Sequence, residues 1–149
     1  MGDLDNVLKN AELFDGLSPT ELQSIAGISL EKRFRAGETI TRQGDEDDHL
    51  FVVCEGFVEV SLSGPLPGSD SRAVVHLGRG QIFGEMALVD QGPRSATVRS
   101  TADNTVVQAI GRQAFMDLCD RNHHLGYVVM RNMAADLSFK LRHRNLTGR

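Results

Sequence analysis

Cysteine is scarce in this 149-residue sequence: Cys54 and Cys119 are the two thiols present. They supply neither a disulfide framework nor the paired spacing of a metal site. Cys54 ends the apolar run Leu50-Phe51-Val52-Val53, which predicts a buried, inert thiol. Long hydrophobic runs are missing too, and none approaches the roughly 20 residues that cross a bilayer. The N-terminus, Met1-Gly2-Asp3-Leu4-Asp5, is acidic and lacks the apolar core of a signal peptide. Gly2 does not complete a myristoylation signal, because Asn6 stands where Ser or Thr is needed. A cytoplasmic location is the expectation. Nor is there an excess of positive charge: the formal net charge of −4 argues against general affinity for nucleic acid. The adjacent His123 and His124 do not share a helix face, so no metal pair is predicted there.

What is present is ordinary for a soluble globular domain, with 40% hydrophobic and 24% charged residues. The length predicts one domain, 1–149, able to bury a core. Its first part, 1–27, reads as a helical lead-in. Leu4, Val7, Leu8, Ala11 and Leu13 fall at helical spacing. After Gly16 a second helix begins at Ser18-Pro19-Thr20-Glu21, with Ser18 as N-cap, Pro19 at the first position and Glu21 closing a capping box. Gly27 stops it, and Phe14 and Leu17 are expected to pin the lead-in to the body.

From 28 to 111 the period shortens. Strands are predicted at 28–34, 50–54, 57–62, 72–77, 96–100 and 105–110, with glycines between them at strand-sized intervals. Ile28 to Phe34 alternates as a half-buried strand does. The pattern suggests an antiparallel barrel or jelly roll. Gly44-Asp45-Glu46-Asp47-Asp48 lacks the ligand spacing of a calcium loop and reads as a solvated turn. The stretch 63–71 has the composition of a mobile hairpin loop.

Within this region 80–97 stands apart: a short strand ending at Phe83, a glycine turn at Gly84, a turn or two of helix through Glu85, Met86, Ala87 and Leu88, then Gly92-Pro93-Arg94-Ser95-Ala96-Thr97. Glycine lets the backbone approach a ligand. A helix opening at Gly84 presents unpaired N–H groups to an anion, and Arg94 adds a two-pronged cation. Glu85, in the first turn, is placed to accept from a hydroxyl. The residue types describe a pocket for a phosphate attached to a sugar.

The runs Phe83-Gly84-Glu85-Met86-Ala87-Leu88 and Pro93-Arg94-Ser95-Ala96-Thr97 resemble the phosphate-binding cassette of cyclic nucleotide-binding domains. That family includes kinase regulatory subunits, cyclic nucleotide-gated channels and bacterial catabolite activators. The resemblance implies an eight-stranded β-roll with helical ends. It also implies that Arg94 grips the cyclic phosphate, that amides from Gly84 to Ala87 complete the cradle, and that Glu85 takes the ribose 2′-hydroxyl. Members with Ala after the arginine tend to prefer cAMP and those with Thr cGMP; Ser95 lies between, and cAMP is favoured. Ligand-binding residues are thus expected at Phe83, Gly84, Glu85, Met86, Ala87, Arg94, Ser95 and Ala96.

The last part, 112–149, turns helical again, with a short helix around Phe115, Met116 and Leu118 and a longer one from His123 to about Asn145. Its basic end, Lys140, Arg142, His143 and Arg144, suits the helix dipole without any nucleic acid. The stripe Met130, Met133, Leu137 and Leu141 reads either as core or as a contact between two copies. In the family this helix can cap the purine, which makes Phe139 and Leu141 the lid candidates. Catabolite activators continue into a DNA-binding domain of roughly 60 to 80 residues, and this sequence stops at Arg149. A free-standing domain and a piece of a larger protein therefore both remain open. The expected function is a regulatory domain that binds a cyclic purine nucleotide without turnover and signals to a partner protein or attached domain. The alternatives are the ligand-binding half of a transcription regulator, a ligand-free interaction module, and an enzyme of cupin type. The last needs metal-binding histidines, where only His49 and His76 lie in the strand region and neither belongs to a histidine-rich ligand motif. No metal or resident cofactor is predicted.

Overall fold

The continuous apolar run Leu50-Phe51-Val52-Val53-Cys54 is explained by a sheet covered on both faces. Side chains alternate along a strand, so Leu50, Val52 and Cys54 pack into one core cluster while Phe51 and Val53 pack into another. In the computed structural model, which describes residues 2–61, 74–90 and 92–146, this strand is the middle of the molecule.

Two helices lead in, α1 (Gly2–Asn10) and α2 (Pro19–Gly27), with a 3₁₀ turn at Glu12–Phe14 between them. Eight strands follow among the described residues: β1 (Ser29–Phe34), β2 (Thr39–Thr41), β3 (His49–Glu55), β4 (Val58–Ser61), β5 (Val74–Leu77), β6 (Ile82–Phe83), β7 (Thr97–Ser100) and β8 (Thr105–Gly111). A second 3₁₀ turn, Glu85–Leu88, sits between β6 and β7, and α3 (Arg112–Arg121) and α4 (His123–Leu146) close the chain. The strands form two four-stranded sheets, ordered β1-β8-β3-β6 and β2-β7-β4-β5, and their pairings are antiparallel. This is the mainly antiparallel roll with helical ends that the sequence suggests.

One core fills the inside of the roll, where Phe51, Val53, Phe83, Val98, Val107 and Ala109 meet. The other lies between the β1-β8-β3-β6 sheet and the helices, and joins Leu8, Phe14 and Ile25 to Leu50, Ile110, Phe115, Leu125 and Val129. At about 25 cal/mol per Å² of apolar surface, this second core is what holds the helical ends against the roll.

The capping box forms as expected: Glu21 N donates to Ser18 Oγ at 3.1 Å, and Ser18 N donates to Glu21 Oε1 at 3.0 Å. Three local readings change. The first helix ends at Asn10, and Leu13 belongs to the 3₁₀ turn rather than to a helix running from Leu4. Ile28 caps α2 instead of starting β1. β1 is not half-buried: among the described residues it is an edge strand paired to β8 alone, and Leu30 is 65% exposed. Its Glu31, Lys32 and Arg33 give that edge the charge that discourages pairing with another chain. The loop expected at 63–71, with the adjoining residues 62, 72 and 73, lies outside the described residues.

The apolar stripe on α4 divides in two. Met133 is buried, and Met130 and Leu137 pack against the helical core, whereas Leu141 is exposed. Among the described residues no helix is long and apolar enough to cross a membrane.

Candidate functional site

β6 delivers the chain to the site. Gly80 N donates to Val53 O at 2.8 Å and Val53 N donates to Gln81 O at 2.9 Å, which ties the start of the stretch to β3. At Gly84 the backbone takes φ 81°, the left-handed region that suits glycine. The chain then coils into the 3₁₀ turn Glu85–Leu88, shorter and tighter than the helix expected there. Ala87 N donates to Gly84 O at 3.1 Å. That commits the Ala87 amide to the turn, while the Glu85 and Met86 amides stand at its first positions, which have no acceptor within the turn itself.

Arg94 is brought in from the other side. Its backbone pairs with the acidic turn: Arg94 N donates to Asp45 O at 2.7 Å, and Gly44 N donates to Arg94 O at 2.9 Å. Its side chain is only 8% exposed. Nη2 donates to the His49 carbonyl and lies 3.4 Å from Asp47 Oδ2, and Nη1 donates to Gly84 O at 3.4 Å. The guanidinium also sits over the Phe51 ring, 5.7 Å from its centroid. Nε is buried without a partner among the described residues. A cation is thus held by two carbonyls, a carboxylate and an aromatic face at the wall of a cavity.

Asp47 is the residue that sequence reasoning missed. The acidic turn is not simply solvated, for Asp47 Oδ1 also bonds His49 Nδ1 at 2.8 Å and accepts from His49 N at 3.1 Å. Burial pushes the Asp47 carboxyl up, but the His49 hydrogen bond and the Arg94 charge outweigh it and hold the group below the usual carboxylate range. The sequence signal was an aspartate on a tight turn next to a strand, which says nothing about an arginine nearly fifty residues later.

The cavity has a volume of about 1530 Å³ and lies between the roll and α4. Phe83, Gly84, Glu85, Met86, Ala87, Arg94, Ser95 and Ala96 line it together, and Phe139 lines it from α4. Leu141, the other lid candidate, is exposed and is not part of the lining. Phe139 itself is 60% exposed, with its ring 3.8 Å from that of His143. The wall opposite the cassette carries Asn132, Asp136 and Lys140. Lys140 Nζ lies 3.0 Å from Asp136 Oδ2 and 3.4 Å from Glu85 Oε2. Burial works against its charge, yet the bonds and charges of Asp136 and Glu85 leave its pKa raised.

The first half of α4 is fixed to the lead-in. Asn132 Nδ2 donates to Leu13 O and Asp15 O, each at 2.9 Å. Glu21 Oε2 accepts from Asn122 at 3.0 Å and meets His124 Nδ1 at 2.8 Å. The Ser18 amide, then His124 and Asn122, hold the Glu21 carboxyl down to about 2 against the opposing effect of burial. The histidines of the cupin alternative are not arranged as a ligand set: His49 is paired with Asp47 on β3, and His76 lies on β5, opposite Glu59 in the other sheet.

In chemical terms the site offers a buried cation, a turn with open amides and a carboxylate at its start, all facing one cavity. Residues 31–122 match the profile of the cyclic nucleotide-binding domain. The cyclic AMP receptor protein of Thermus thermophilus is 33% identical over 139 residues, which is 93% of this chain and 61% of that protein. The crystal structure of the Thermus thermophilus catabolite activator protein superimposes with a TM-score of 0.80 at 31% identity, covering 92% of this chain and 61% of that one. The regulatory domain of Toxoplasma gondii PKA, solved with cAMP, gives a TM-score of 0.66 at 30% identity over 77% of this chain and 42% of that one. This chain therefore spans less than two thirds of the length of each of these relatives. A roll of this topology, a cassette of this composition and a profile match across most of both together make the chain a member of the cyclic nucleotide-binding domain family.

Proposed function

We propose that the chain senses a cyclic purine nucleotide, cAMP in preference to cGMP, and passes its occupancy to a partner or an attached domain without turning it over. The observation that carries this reading is Arg94, a guanidinium buried at the cavity wall with its Nε unpaired among the described residues. A buried cation of this kind is stabilised when a ligand phosphate completes its hydrogen bonds. In this reading Arg94 and the amides at the start of the Glu85–Leu88 turn hold the cyclic phosphate. Glu85 accepts from the ribose 2′-hydroxyl, and Phe83, Ser95 and Ala96 complete the wall. Phe139 caps the base from α4, and Leu141 reaches it only if the helix moves. The whole of 1–149 acts as one cytoplasmic unit.

The preference for cAMP is supported by the cAMP-binding relatives, with Ser95 the residue nearest the question. Calorimetric titration with cAMP and cGMP, each competed by the other, tests it, with the mass measured before and after ligand to report any pairing of copies. The expected result is tighter binding of cAMP; tighter binding of cGMP reverses the preference, and no binding of either removes the function. A second reading makes the chain the ligand-binding half of a transcription regulator. It is favoured by the Thermus thermophilus relative, of which this chain spans 61%. A reading frame that continues into a DNA-binding domain beyond the codon for Arg149 supports it, and a stop codon there overturns it.

A further inference from the structure

We infer that Lys140 is an internal competitor for the ribose, a cation on α4 that holds the cassette carboxylate until a nucleotide hydroxyl takes it. The inference rests on the proposed role of Glu85 and adds to it a built-in opponent. Glu85 has a side chain only 17% exposed, and Lys140 Nζ stands 3.4 Å from its Oε2. Both residues line the cavity, so the ammonium and a ligand in the cavity reach the carboxylate from the same space. Lys140 does not depend on Glu85 alone, since Asp136, one helical turn earlier, holds it at 3.0 Å. When the ribose arrives, the ammonium keeps one carboxylate partner as it gives up the other.

Position in the fold gives the contact its consequence. α4 is anchored in its first half by Leu125, Val129 and Met133 in the core and by Asn132 on the 3₁₀ turn. Lys140 lies beyond that anchored part, beside the exposed Phe139, and there it ties the helix to the cassette. Ligand and helix then compete for the same carboxylate, and binding of the nucleotide releases the Lys140 tie. By linkage, the factor by which Lys140 weakens nucleotide binding equals the factor by which the nucleotide weakens the Lys140 contact.

The sign of the effect separates this from simple attraction. A lysine near an anionic ligand strengthens binding if it acts only through its charge, and its removal then weakens every nucleotide alike. A competitor for Glu85 opposes only ligands that use Glu85. Exposed ion pairs of this kind are worth a factor of about 1.4 to 5 in an equilibrium constant. The test is calorimetric titration of the parent, Lys140→Met and Lys140→Arg with cAMP and 2′-deoxy-cAMP. The expected result is that the preference for cAMP over its 2′-deoxy analogue rises by about two- to fivefold in Lys140→Met and stays at the parent value in Lys140→Arg. An unchanged or smaller preference in Lys140→Met overturns the role of Lys140 and leaves the nucleotide reading standing. A parent that binds neither nucleotide overturns both.

Discussion

A side chain on Gly84 would collide with Arg94: a Cβ there would stand 2.7 Å from the guanidinium Nη1 and 2.9 Å from the His49 carbonyl oxygen. The glycine is needed for its backbone as well, because φ is +81°. The turn that presents Glu85 and the arginine that faces it are therefore packed into one unit. Gly84→Ala is predicted to weaken cAMP binding by at least about tenfold and to lower the melting temperature by several degrees, since a strained residue costs roughly 1–3 kcal/mol. Calorimetry and a thermal melt on the same sample check both effects.

Thr41 gives a prediction of the opposite sign. Its hydroxyl is buried on β2 without a hydrogen-bond partner among the described residues. An unsatisfied buried polar group costs roughly 1–3 kcal/mol, whereas an apolar group of the same shape does not. Thr41→Val is predicted to raise stability by about 1 kcal/mol, a gain of roughly 3–5 °C in melting temperature. Differential scanning calorimetry reads it directly, and a lower melting temperature would mean that the hydroxyl is satisfied after all.

The buried carboxylate of Glu21 makes stability depend on acid. Its folded pKa of about 2 lies below its ordinary value of 4.5, so its contribution is present above about pH 4.5 and is lost as the pH falls toward 2. In Glu21→Gln the loss of this charge-assisted cap should cost roughly 1–3 kcal/mol at pH 7. Urea unfolding at pH 7, 5, 4 and 3 should show the gap between parent and variant holding from pH 7 to 5 and narrowing at pH 4 and 3. A gap constant with pH would remove the carboxylate from the account.

Features set by residues close in sequence were the legible ones. The Ser18–Glu21 capping box needs four residues, and Gly84, Glu85 and Arg94 fall within eleven, so the pattern of types was enough to place them. β2 was not read because three residues, Thr39 to Thr41, carry no period. Asp47 beside Arg94 and Lys140 beside Glu85 were not read because each pairing is made by the fold across about fifty residues. The α4 stripe was visible as apolar, but its partner was not: Met133 faces the core of its own chain and Leu141 faces solvent. The exposed β1 shows the same limit, since alternation along a strand does not reveal that the strand lies at the edge of its sheet.

The central claim, that the cassette binds a cyclic nucleotide through Arg94, is tested most directly by calorimetric titration of the parent and Arg94→Ala with cAMP. Removing a charge-assisted contact to a buried phosphate costs on the order of 2–4 kcal/mol, so the account predicts a roughly 30- to 1000-fold loss of affinity in a variant that still folds. Equal affinity in parent and Arg94→Ala would contradict it.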